Sequence, residues 1–185
     1  LARRDQWLPA LGQADDRKAL QAVFARAQRE GLAQVDKTLH AVDPGLPERL
    51  MSLARFAAGN LQLALSEQGL SVQSSSAPPL LAWLDAQHWP GHTPADLPQW
   101  IGLAQMLLTE KDQWRSSNGI NKRIGFPAAS AAPEPALAAL FQEKKAALGN
   151  ILEQLRNGGE PAQALLSTLA AVRALPPAQY SDTQW

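Results

Sequence analysis

Between Gln113 and Pro133 the chain carries no carboxylate, yet it carries Arg115, Lys122 and Arg123. With Asn118 and Asn121 between them and Trp114 and Phe126 on either side, these residues could handle an anion. The cations would neutralise phosphates, the amides would hydrogen-bond a sugar-phosphate backbone, and an aromatic ring would anchor the loop or stack on a base. The same set also suits a solvated loop pinned by two buried aromatics. Neither reading contains the machinery of a catalytic site.

Other chemistry is sparse. His88 and His92 stand four apart, the spacing that puts two metal ligands on one helical face, with Asp85 as the nearest third ligand. Pro90 and Gly91 lie between them and break that face, so no metal site is expected. His40 reads as a packing or capping residue on the buried-to-boundary side of its helix. Ser74 to Ser76 have no neighbouring His or elbow motif, which leaves nucleophilic catalysis unsupported. No Gly is followed by Lys, so a phosphate-binding P-loop of the usual kind cannot be built. The absence of Cys excludes disulfides, thiolate zinc sites, iron-sulfur ligation and cysteine nucleophiles together. Asp15/Asp16 and Glu110/Asp112 read as helix-terminal and surface charges, and Arg156, Arg173 and Lys144-Lys145 as solvated helix faces. The catalytic, cofactor and metal sets are therefore empty for this chain.

The elements that must position the basic loop are helical. Apolar residues recur at helical spacing as Leu20, Val23, Phe24, Ala27, Val35, Leu39 and Val42, in one long helix or two joined near Gly31, ending at Asp43-Pro44-Gly45. A second helix opens around Pro47, carries Leu50, Leu53, Phe56, Leu61 and Leu65 on one face, and stops near Gln68-Gly69; the two should pair as an antiparallel hairpin. Ser71 to Pro79 reads as a linker. A short helix is expected from Leu80 to about Gln87, with another from Asp96-Leu97-Pro98 to Thr109, and Trp83, Trp89 and Trp100 cluster between them. After the loop and an Ala/Pro connector, a helix starting at Pro133 or Pro135 carries Leu137, Leu140, Phe141, Leu148, Ile151, Leu152 and Leu155, and Asn157-Gly158-Gly159 ends it. A last helix, Glu160 to Leu175, turns Leu165, Leu169 and Val172 inward. No segment alternates as a strand does. The expected fold is all-α, an irregular bundle of about six helices with a basic loop or arm, forming one domain over 1–185 with linkers near 71–79 and 112–135.

Formal net charge is zero, so nucleic-acid affinity would have to come from a local patch, and the loop is the candidate. Arg3, Arg4 and Trp7 would add to it if the N-terminus folds nearby. No apolar run reaches membrane-span length and the start lacks a signal-peptide core, which leads us to expect a cytoplasmic setting without a membrane. The lack of an initiating Met suggests either that Leu1 is not a natural start or that the chain is processed.

Three stretches carry a resemblance: Leu1-Ala-Arg-Arg-Asp-Gln-Trp-Leu8, then Trp100 to Thr109 with Trp114-Arg115 and Gly125-Phe-Pro127, and finally Leu175-Pro-Pro-Ala-Gln-Tyr180 through Trp185. In that order they resemble the UvrD/RecB-like superfamily 1 DNA helicases, nearest to exodeoxyribonuclease V beta chains and AddA-type nuclease-helicases. The resemblance implies a helical accessory subdomain inserted in the first motor domain, after the early ATPase motifs and before the Asp-Glu motif that holds magnesium. It further implies a parent that uses ATP and Mg to unwind DNA or help resect it in double-strand break repair. This piece would contribute contacts to duplex or junction DNA, to the rest of the motor and to a nuclease or helicase partner subunit. A purely structural or docking role is the alternative.

Overall fold

A computed structural model describes residues 14–70 and 77–175. Prolines and glycines set the breakpoints. Helix α1 (Ala14–Val42) runs unbroken through Gly31 and stops where the Asp43 carboxylate accepts the Gly45 N–H at 2.8 Å. Helix α2 (Leu46–Glu67) has Pro47 in its first turn, where the missing N–H has no intrahelical partner to lose. It closes with a paired cap: the Leu70 N–H reaches the Leu65 carbonyl at 2.9 Å and the Gly69 N–H reaches Ser66 at 3.1 Å. Helices α3 (Leu97–Leu107), α4 (Pro135–Arg156) and α5 (Gly159–Arg173) follow, and no sheet forms among the described residues. The molecule is an irregular all-α bundle, as the periodicity requires.

Helix α3 is central. Leu97, Trp100, Leu103, Ala104, Met106 and Leu107 are all buried, so this short helix is apolar nearly all round and must be surrounded. The 3₁₀ turn Pro79–Trp83, α2 and α5 do so. The helix expected from Leu80 to Gln87 is in fact only that five-residue 3₁₀ turn. Tertiary hydrogen bonds take over the backbone there: the Leu80 N–H donates to Gln105 Oε1 at 3.0 Å, and the Trp83 indole donates to the Gln99 carbonyl at 2.7 Å.

The principal neighbour of α1 is α5, not α2 as the hairpin expectation had it. Thr38 and Thr168 share a hydroxyl hydrogen bond at 2.9 Å, and Leu175 lies 3.3 Å from where a Cβ on Gly31 would sit. Residue numbers fall along one helix as they rise along the other, so the pair is antiparallel. Leu32, Val35 and Leu39 are fully buried in this half of α1. Nearer its start, Leu20 and Val23 remain 39% and 62% exposed, against the expectation that this face turns inward. From Gly31 back to Ala14, α1 continues for about 25 Å past the end of α5. No helix among the described residues is long and apolar enough to cross a membrane.

Candidate nucleic-acid interface

The last carbonyls of any α-helix lack intrahelical donors and carry the negative end of its dipole. At the end of α3 the Leu108 and Arg115 backbone N–H groups meet the Ala104 and Leu107 carbonyls, and arginine side chains supply further donors. Arg173, from the last turn of α5, donates through Nη1 to the Thr109 carbonyl at 2.7 Å, and through Nη2 to Ala104 at 3.1 Å and Leu108 at 3.2 Å. Its Nη1 also meets Asp112 Oδ1 at 3.1 Å. Arg115 Nε donates to the Gln105 carbonyl at 2.9 Å, and Arg156 Nη1 donates to the Arg115 carbonyl at 2.7 Å. Arg156 is exposed, as a solvated helix face requires, and Arg173 is partly buried against that expectation; both tie the basic loop to the helices. Nothing in sequence marks a contact between residues 64 apart.

The chain leaves α3 extended at Leu108 and doubles back, pairing Leu108 with Trp114 in an isolated antiparallel bridge. Asp112, at φ 56°, makes the turn. Residues 112–135, read from the sequence as a connector, contain three short 3₁₀ turns, and Ile120, Ile124 and Phe126 are buried beneath them. Asn121 caps the second turn: its Oδ1 accepts the Arg123 N–H at 3.0 Å and its Nδ2 donates to the Asn118 carbonyl at 3.1 Å. The loop returns at Gly125, whose φ is +83° and whose absent Cβ would lie 2.3 Å from the Ala57 carbonyl oxygen. Only glycine fits both demands. Asn60 Nδ2 donates to the Gly125 carbonyl at 2.9 Å, and Phe126 packs on Phe56 with ring centroids 5.7 Å apart.

The six nominated residues thus separate by position. Trp114 is half-buried against the core, and Asn121 has both ends of its amide engaged within the loop. Asn118, Lys122 and Arg123 are exposed, and the side chains of Lys122 and Arg123 have no acceptor among the described residues. Arg115 is half-buried; burial, and after it the nearby Arg173, lowers its pKa from the usual arginine value, while Glu110 opposes the shift. A guanidinium at neutral pH stays charged through such a change. Arg115, Asn121 and Arg123 line one polar cleft of about 350 Å³ with Gln105, Thr109 and Glu110.

Comparison with known protein families, curated proteins and solved structures returns no match to this chain.

The histidines sit elsewhere. His92 Nε2 lies 2.8 Å from Asp36 Oδ2, and His40 Nδ1 lies 2.8 Å from the Asp36 carbonyl oxygen. His40 is exposed, contrary to the boundary position expected of it, and His88 is exposed as well. Among the described residues no three His, Asp or Glu side chains converge as metal ligands. Arg3, Arg4 and Trp7 lie outside the described residues.

Proposed function

We propose that this chain is an accessory helical domain of an ATP-dependent DNA helicase or nuclease-helicase, contacting duplex or junction DNA through the loop after α3. ATP and magnesium belong, in this reading, to motor segments of the parent and not to these residues. One observation carries the proposal. Lys122 and Arg123 are exposed, with no partner among the described residues, on a backbone clamped by Arg173, Asn60 and the Gly125 contact. A cationic edge on a fixed scaffold pre-organises phosphate contacts and needs little further ordering on binding.

One feature supports the wider reading. Within the segment that resembles the helicases, Arg115 and Gly125 are held to their residue types by local geometry. The test is duplex binding followed by fluorescence anisotropy across a salt series. Replacing Lys122 and Arg123 by Ala should flatten the slope of log affinity against log salt by about 2 units. An unchanged slope would take the loop out of the DNA path.

Exposed Leu20 and Val23 on α1 favour a second reading, in which the domain docks on the motor or a partner subunit without touching DNA. Leu20→Glu with Val23→Glu would then abolish assembly of the parent while leaving any DNA affinity intact.

A further inference from the structure

The cleft behind the cationic edge has a composition that charge counting alone does not explain. We propose that the cleft walled by Gln105, Thr109, Arg115 and Arg123 seats a single phosphate group. This deepens the DNA-contact reading and rests on it for the natural ligand, a phosphate of the DNA backbone or of a strand end.

Arg115 supplies the first argument. Its Nε is fixed on the Gln105 carbonyl at 2.9 Å, while its two terminal nitrogens have no acceptor among the described residues. Glu110 shares the cleft but does not form an ion pair with it. A half-buried guanidinium whose fork meets no acceptor among the described residues, and which Glu110 compensates only through space, is a costly arrangement, and an anion bound across the fork lowers that cost. Arg123 supplies the second cation, its backbone N–H held by Asn121 so that its side chain starts from a fixed point on the wall.

Two neutral lining residues also have donors to spare. Gln105 Oε1 is taken by the Leu80 N–H at 3.0 Å, which leaves the amide nitrogen, without an acceptor among the described residues, to donate. The Thr109 hydroxyl oxygen lies 3.3 Å from the Gln113 N–H as its acceptor, so its own proton is available. Two guanidinium groups, an amide N–H and a hydroxyl proton suit a tetrahedral oxyanion, and the volume of about 350 Å³ leaves room for the sugar or water attached to it. Asn121, spent at both ends, shapes the wall and does not bind. Glu110 is the one group that opposes an anion, and it provides a direct handle.

The test follows the Nε–H signals of Arg115 and Arg123 by NMR in the full chain, titrated with inorganic phosphate and, at matched ionic strength, with chloride. Saturable shifts with phosphate and none with chloride are expected. Arg123→Gln should weaken phosphate roughly tenfold, and Glu110→Gln should tighten it about threefold. Both positions are exposed and outside the core, so thermal unfolding of either variant should match the parent chain. Equal responses to the two anions, or unchanged phosphate affinity in both variants, would overturn the seat. Duplexes with and without a 5′-phosphate then identify the source: tighter binding of the phosphorylated end assigns a terminal phosphate, and equal binding assigns the backbone. Salt-dependent duplex binding without saturable phosphate would remove the seat and leave the DNA reading standing. Saturable phosphate without duplex affinity would remove the DNA reading and leave a seat for a free phosphate ester.

Discussion

Helix α3 has an irregular segment at each end, and the two use their polar groups in opposite ways. At its start Trp83, Trp89 and Trp100 pack tilted and edge-to-face, with centroid separations of 5.7 and 5.4 Å. Every indole N–H there is consumed: by the Gln99 carbonyl at 2.7 Å, by Asp36 Oδ1 at 3.1 Å and by the Gly91 carbonyl at 2.8 Å. Asp36 collects His92 as well, so both of its carboxylate oxygens are occupied. At the other end backbone groups are hydrogen-bonded too, but the heads of Lys122 and Arg123 and the terminal nitrogens of Arg115 find no acceptor among the described residues. A region whose polar groups all meet inside the molecule specifies the fold; a region that leaves cations unspent on a fixed backbone offers a surface to a ligand.

That contrast can be broken at either end. Trp100→Ala in the tryptophan corner and Gly125→Ala in the loop should each cost about 3–5 kcal/mol, read from urea midpoints, the first through an unfilled core volume and the second through backbone overlap with Ala57 at a positive φ. A Gly125→Ala loss under about 1 kcal/mol would mean that the loop is not clamped to α2.

Arg173→Lys keeps the charge but loses the fork that reaches three carbonyls, so a cost of about 2 kcal/mol is expected, together with faster amide exchange from Thr109 to Arg115. Trp89→Phe removes one donor from Asp36 and should cost about 1 kcal/mol by the same urea measurement, confined to the corner. Lys122→Ala with Arg123→Ala sharpens the comparison from the other side: stability should stay within about 0.5 kcal/mol, since neither side chain supports the fold.

The smallest expected effect lies outside both regions, at the α1–α2 turn. The Gly45 N–H, aided by Gln154 and Arg49, outweighs burial and holds the Asp43 carboxyl below the usual carboxylate range. A carboxylate with a depressed folded-state pKa stabilises above its unfolded pKa, and that contribution fades as pH falls through the folded value. Asp43→Ala should therefore lower Tm at neutral pH, and the gap to the parent chain should close on acidification. A gap independent of pH would assign the effect to the turn's geometry and not to its charge.

Much of the framework is legible in the residue types. Proline in the first turn of α2, α3 and α4, the Asp43-Pro44-Gly45 break and the apolar spacing of α4 and α5 locate those helices to within a few residues. The tryptophan cluster is legible too, because its members crowd a short interval beside an apolar helix. The 3₁₀ turn at Pro79 is not: five apolar residues have a helix's composition, and only the Gln105 and Gln99 contacts decide otherwise. Leu20 and Val23 mislead for a related reason, since periodicity reports a stripe but not whether a neighbour covers it.

The candidate site divides along the same line. Its cations, the absence of carboxylates beside them and the glycine at the loop's return are properties of the local sequence, and they determined that a basic loop follows an apolar helix. Which cation does what was decided in three dimensions. Arg173, 58 positions beyond Arg115, takes over the carbonyls at the end of α3, and so do Asn60 and Arg156 elsewhere in the loop. Hydrogen bonds that reach across the chain carry no local signature, because any exposed-looking Arg or Asn has the same donors. Only packing brings those donors to particular carbonyls, and so only packing leaves Lys122, Arg123 and the fork of Arg115 without an acceptor among the described residues.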